Sequence, residues 1–136
     1  MAGRTSGDED DRLHQFRSVV TMSADDLEQW LETEESRSVG WVRPGETESV
    51  GRQAGRQIVR ILRTSPDDLS PDDRALMRKA VGFVRRHRAQ GGPLFSKRES
   101  RWRWSLMNWG HDPLSGPDDS EALEDLFPSS PSRRRR

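Results

Sequence analysis

Residues 51–65 read GRQAGRQIVRILRTS: a glycine–arginine pair, the same pair four positions on, then an apolar run. At 100° per residue, Val50, Ala54, Ile58, Ile61 and Leu62 fall in one broad arc, with Arg52, Arg56, Arg60 and Arg63 on nearly the opposite side. The spacing predicts an amphipathic helix starting near Ser49. One face belongs to a core. The arginine face serves a ligand or only water, and the functional content of the chain turns on which.

The neighbouring segments complete an all-α pattern. Downstream, Ser70 is placed as a cap, Pro71 suits the first helical position, and Asp72 and Asp73 favour the positive end of the helix dipole. Leu76, Ala80, Phe83, Val84 and His87 then form an apolar face, with Arg74, Arg78, Arg85 and Arg86 lining the other side. Upstream, Leu13, Phe16, Val19 and Val20 have helical spacing. Ser23 opens a second helix carrying Leu27, Trp30 and Leu31, expected to fray around TEESRS at 33–38. Residues 39–48, VGWVRPGETE, are a loop. A last helix is expected from about Arg98 to Trp109, stopped by Gly110 and kept from resuming by Pro113. On it Trp102, Leu106 and Trp109 share a face that should close the core, together with Trp30, Ile58, Leu62, Leu76 and Val84.

Those elements predict a bundle of four or five helices over 12–113. Residues 1–11 read as a disordered acidic arm, and 114–136 as a charged flexible tail with room for a short acidic helix at 120–127. Hydrophobic residues are 30% of the chain, charged ones 34%, and the mean hydropathy is −1.00, which agrees with partial disorder. Cysteine is absent, so disulfides, thiolate catalysis and cysteine zinc sites are excluded. No apolar run approaches a membrane span and no signal-peptide core follows the start, so the expected location is the cytoplasm, extending to the nucleoid if DNA is bound.

A net charge of zero hides a strong polarity. From Leu13 to Gly51 three arginines face eight acids, whereas from Arg52 to Arg103 fourteen basic residues face five. Polarity of this kind makes an electropositive face without a basic isoelectric point.

The strings MSADDLEQWLETEESRSVGW (22–41), GETESVGRQAGRQIVRIL (45–62), MRKAVGFVRRHRAQ (77–90) and RWRWSLMNWGHDP (101–113) resemble a bacterial family known as domain of unknown function 3140. SLMNWGHDP is its most specific element. The resemblance spans the predicted domain and implies little about activity, beyond a loose DNA-binding label on some members. Family sequences commonly read GHASGR where this chain has GRQAGR, so Arg52 stands where a histidine is common. They read RHLAQRP where this chain has RHRAQGG.

Catalysis finds little support. His14, His87 and His111 make no i, i+4 metal pair, and no nucleophile elbow, Walker loop or dinucleotide fingerprint is present. His111–Asp112 reads as an oriented imidazole or, more simply, as a helix-end cap followed by a turn. The expectation is a non-enzymatic protein with no metal and no cofactor. Gly51 and Gly55, one turn apart, predict close helix packing rather than a phosphate loop.

The arginine stripes are the stronger signal. Guanidinium groups grip phosphate oxygens bidentately, so Arg52, Arg56, Arg60 and Arg63, aided by Arg74, Arg78, Arg85 and Arg86, are the candidate contacts to nucleic acid, foremost the backbone of double-stranded DNA. Few acids share these faces, so local i, i+4 pairing does not account for them. The alternatives are a solvated helix surface and a protein-interaction module, in which Trp41 or Trp104 anchors an acidic protein partner. The acids of 118–125 oppose the stripes in charge, as a solubilising tail or as a competitor held in the same chain.

Overall fold

A computed structural model describes the backbone of residues 2–115 and the side chains of residues 11–115. Six helices carry the described chain: α1 (Ala2–Val19), α2 (Ala24–Leu31), α3 (Glu34–Arg37), α4 (Val50–Leu62), α5 (Pro71–Gln90) and α6 (Arg101–Asn108). Single 3₁₀ turns at Pro66–Asp68 and Lys97–Glu99 precede α5 and α6. The expected tail helix at 120–127 lies outside the described residues.

Every helix after α1 starts on a serine or threonine whose hydroxyl accepts a backbone N–H three residues on: Ser23, Thr33, Ser49, Ser70 and Ser100. Each satisfies one of the donors that a helix start leaves without an intrahelical partner. At α5 the cap is reciprocal. Ser70 Oγ accepts from the Asp73 amide at 3.0 Å, and the Asp73 carboxylate accepts from the Ser70 amide at 3.0 Å. Asp73 therefore closes a capping box as well as lying near the dipole.

Two boundaries differ from the sequence expectation. TEESRS does not simply fray, since Thr33 caps a further turn, α3. The last helix begins at Arg101 rather than Arg98, where Ser100 caps it and its own hydroxyl donates to the Lys97 carbonyl at 2.8 Å.

α4 is the centre of the bundle, packed against α2, α5 and α6, while α1 lies along α5. Ile58, Leu27, Leu31, Phe16, Ala80, Val84 and Leu106 are sealed inside. Met77 and Val81 join them on α5, whereas Leu76, Phe83 and Leu62 sit at the core margin. The glycines of α4 let α6 approach. A Cβ at Gly55 would collide with the Asn108 carbonyl oxygen, and one at Gly51 would lie 3.1 Å from Trp109 Nε1. Close packing, not phosphate binding, explains the pair.

The end of α6 is a Schellman motif: the Gly110 amide donates to the Met107 carbonyl at 2.8 Å and the His111 amide to the Leu106 carbonyl at 3.0 Å. Gly110 adopts φ +83°, open to glycine without strain. Its carbonyl then accepts from the Thr21 and Met22 amides at 3.0 and 3.1 Å, tying the α1–α2 junction to the end of the domain.

Candidate nucleic-acid interface

The four arginines of α4 do not form one exposed rail. Arg52 is buried, at 6% exposure. Its Nε donates to Ser36 Oγ at 3.2 Å, one terminal nitrogen to Glu48 Oε2 at 2.6 Å, and the other to the Leu31 carbonyl. Burial pulls this guanidinium below the ordinary arginine range, and Glu48 opposes the shift. Arg52 thus joins the ends of α2 and α3 to the start of α4. An arginine beside two small glycines was placed on the solvent side by a wheel that counts only apolar residues; the neighbours of Gly51 and Gly55 extend burial around that side.

The other three are half exposed, and each has an acid from another part of the chain. Arg56 Nε donates to the same Glu48 oxygen at 2.8 Å. Arg60 grips Asp73 at 2.5 and 3.3 Å, and Gln57 adds a third donor at 3.3 Å. Arg63 reaches Asp25 at 2.7 Å and Glu28 at 3.1 Å on α2. Bonds to Glu28 and Asp25 raise the Arg63 pKa, and the bond to Asp73 raises that of Arg60. The stripe ties α4 to its neighbours, with its positive charge locally answered.

Asp73 is the most strongly held of these acids. Bonding from Arg60 depresses its carboxyl far below the usual carboxylate range, against the opposing effect of burial and with help from Ser70. A depressed carboxyl contributes stability that is full above its unfolded value, about 3.9, and is lost as pH falls through that range. Asp73→Asn is accordingly expected to cost roughly 2 kcal/mol at neutral pH, from the cap and the charged bonds together. The gap to wild type should narrow as pH drops from about 5 to about 2. Urea melts at several pH values check this; a gap constant with pH would disprove the linkage.

α5 presents the contrasting surface. From Arg74 to Gln90 it carries six basic residues and no acid. Arg74 sits at the edge, beside the Pro66 and Leu69 carbonyls at 3.4 Å. Arg78, Lys79, Arg85 and Arg86 are exposed, and among the described residues no acid pairs with them. Arg86 folds back over Gly82, whose missing side chain leaves room for the guanidinium. Lys79 belongs to this face and escapes a search confined to arginine.

The SLMNWGHDP stretch is occupied with holding the fold. Asn108 Oδ1 accepts from Trp30 Nε1 at 2.8 Å and from Ser36 Oγ at 2.5 Å, while its amide donates to the Ser36 carbonyl at 3.2 Å. Trp109 stacks on Phe83 at 4.8 Å, and Phe83 stacks on His87 at 5.0 Å. Trp102 is half buried; it covers Gly92 and donates to the His87 carbonyl at 3.1 Å. Burial lowers the His87 pKa, with the Trp102 contact opposing.

His111 lies 2.6 Å from the Val19 carbonyl through Nδ1 and 3.1 Å from an Arg88 nitrogen through Nε2. A carbonyl only accepts and a guanidinium only donates, so this geometry fits the neutral Nδ1–H tautomer. Both ring nitrogens are engaged. Asp112 takes a two-pronged grip from Arg103 at 3.0 and 2.9 Å and accepts from the Leu114 amide at 3.0 Å. Burial pushes the Asp112 carboxyl up, but the bonds from Arg103 and the Leu114 amide outweigh it and leave it lowered. Helix-end capping and a following turn account for the pair. Among the described residues, no three of His, Asp and Glu converge on a point suited to a metal ion, and no helix is long and apolar enough to cross a membrane.

Comparison with known proteins adds a family and no activity. No curated protein and no solved structure matches the chain. A family model described as Protein of unknown function (DUF3140) matches residues 15–107, from the last turns of α1 to the last turn of α6. With most of its length matched, the chain belongs to the DUF3140 family.

Proposed function

We propose that this protein is a non-enzymatic nucleic-acid-binding protein that holds the backbone of double-stranded DNA on the outer face of α5, with little sequence selectivity. The observation that carries the proposal is the contrast between two basic helices. The exposed arginines of α4 are answered by Glu48, Asp73, Asp25 and Glu28, whereas among the described residues no acid pairs with Arg78, Lys79, Arg85 or Arg86. From Arg78 to Arg86 the face advances about 12 Å, at roughly 1.5 Å per residue. That is the axial rise of three or four phosphates on one strand, at about 3.4 Å each. Phosphate contacts position a protein without reading bases, hence the weak selectivity.

An anisotropy titration with duplex DNA at two salt concentrations tests the face. Replacing Arg78, Lys79, Arg85 and Arg86 together by glutamate should leave the circular-dichroism spectrum intact and remove measurable binding. Arg85→Gln alone should reduce the slope of log affinity against log salt by about 0.9, the value for one phosphate contact. Unchanged affinity in the folded quadruple variant rejects α5 as the interface.

A protein-interaction module is the second reading, favoured by Trp41. It is 65% exposed on the loop before α4, beside exposed Val42, while its carbonyl is fixed by the Val50 amide at 2.8 Å. A fixed, exposed tryptophan is a ready anchor for a partner. Trp104 is partly buried and suits that role less. Absence of any retention on DNA or RNA at low salt would move the function to this reading.

A further inference from the structure

We infer that the outer face of α5 has a partner within its own chain, the acidic segment 118–127, DDSEALEDLF. The face holds four exposed cations that, among the described residues, no acid answers. The segment brings Asp118, Asp119, Glu121, Glu124 and Asp125, five carboxylates within eight positions. Complementary charge gives the pairing its sign.

The tertiary structure gives it proximity. His111 meets Arg88, in the last turn of α5, at 3.1 Å. Arg103 clamps Asp112, and the Ser115 amide donates to the Asp112 carbonyl at 3.1 Å. The chain is thus pinned beside the C-terminal end of α5 up to Ser115. Asp118 follows three positions later, a reach of about 10 Å at roughly 3.3 Å per residue. Arg85 and Arg86 lie within one turn of Arg88 along α5. So short a tether makes the local concentration of the segment high, and a weak electrostatic contact is then well populated.

The segment would have less to gain elsewhere. α2 is acidic, with exposed Asp25, Asp26 and Glu28, and repels it. The α4 arginines already have acids. Docking requires no nucleic acid; its consequence, that the segment screens α5 from DNA, rests on the function proposed above.

The chain has two lysines, which makes a direct test possible. Lys79 is exposed on the face in question, and Lys97 is buried with its Nζ against the Leu94 carbonyl. A carbodiimide joins an amine to a touching carboxylate as an amide, taking up the lost water itself. Applied to the full-length protein without nucleic acid, it should yield monomer-band peptides linking Lys79 to residues 118–125. Their yield should be independent of protein concentration. It should fall about fivefold or more from about 0.1 to about 1 M salt, as the Debye length shrinks from about 10 to about 3 Å. It should also fall with Arg85→Glu and Arg86→Glu, which leave Lys79 in place. An amine-reactive ester confirms that Lys79 remains available in every variant.

Absence of Lys79–tail links while Lys79 stays reactive would overturn the docking. So would links found only in a dimer band, which would make a second copy the occupant. DNA titrations of the wild type and a variant with the five acids neutralised separate the two proposals. Links without DNA affinity at any salt retain the docking and reject the function. DNA affinity without links does the reverse.

Discussion

Arg52→Ala is expected to destabilise the domain by roughly 3 to 5 kcal/mol, the cost of removing one member of a buried charged pair. The loss is large because the guanidinium serves three acceptors at once. Without it Glu48 keeps a partly buried carboxylate supported only by Arg56, and the Leu31 carbonyl and Ser36 hydroxyl lose a donor. A domain of this size has about 5 to 15 kcal/mol in total, so the variant stands close to unfolding at 25 °C. Arg56→Ala is the control. It shares Glu48 but is half exposed, and surface pairs of that kind contribute about 0 to 1 kcal/mol. Arg52→Glu adds like-charge repulsion beside Glu48 and should unfold the chain outright. Urea denaturation followed by tryptophan fluorescence gives both values. Equal small losses for Arg52→Ala and Arg56→Ala would place Arg52 back on the surface. The same contrast directs the design of binding tests. Reversing charge along all of α4 removes the fold with the charge, whereas α5 can be reversed without touching a buried pair.

Trp109→Ala is the second change with a large expected effect, again roughly 3 to 5 kcal/mol. Trp109 is 7% exposed, stacks on Phe83, and fills the notch above Gly51. Truncation opens a cavity where α4, α5 and α6 meet, and the rigid backbone around Gly55 and Asn108 limits collapse into it. Trp102→Ala should cost distinctly less, since Trp102 is only partly buried and lies over Gly92 at the edge. Phe at 109 restores part of the stack and should recover part of the loss. Thermal melts of the three variants check the ranking. Equal losses at 102 and 109 would mean that the shared helical face, rather than depth of burial, governs both.

Helix starts were legible because they are local. Ser23, Ser49 and Ser70 each act on an amide three residues away, and Gly110 stops α6 through its own backbone freedom. Most of the apolar face of α4 was legible for the same reason, since periodicity belongs to a single helix. Gly51 and Gly55 also announced a close approach, though not that Asn108 and Trp109 make it. Asn108 itself left no sequence signal of its role, because Trp30 and Ser36 are 78 and 72 positions away.

The site divides along the same line. A helical wheel places Arg52, Arg56, Arg60 and Arg63 together, and Arg78, Arg85 and Arg86 together, by angle about one axis. It says nothing of what stands across from each face. Arg60 meets Asp73 thirteen positions on, and Arg63 meets Asp25 thirty-eight positions back. By itself the sequence determined that two helices carry basic faces, that the acids are gathered elsewhere, and where most helices begin. Only the tertiary structure decided that Glu48, Asp73, Asp25 and Glu28 meet the exposed arginines of α4, while among the described residues no acid pairs with Arg78, Lys79, Arg85 or Arg86. Coulomb attraction between side chains acts through space over a few ångströms, and which charges come that close is set by how the helices pack.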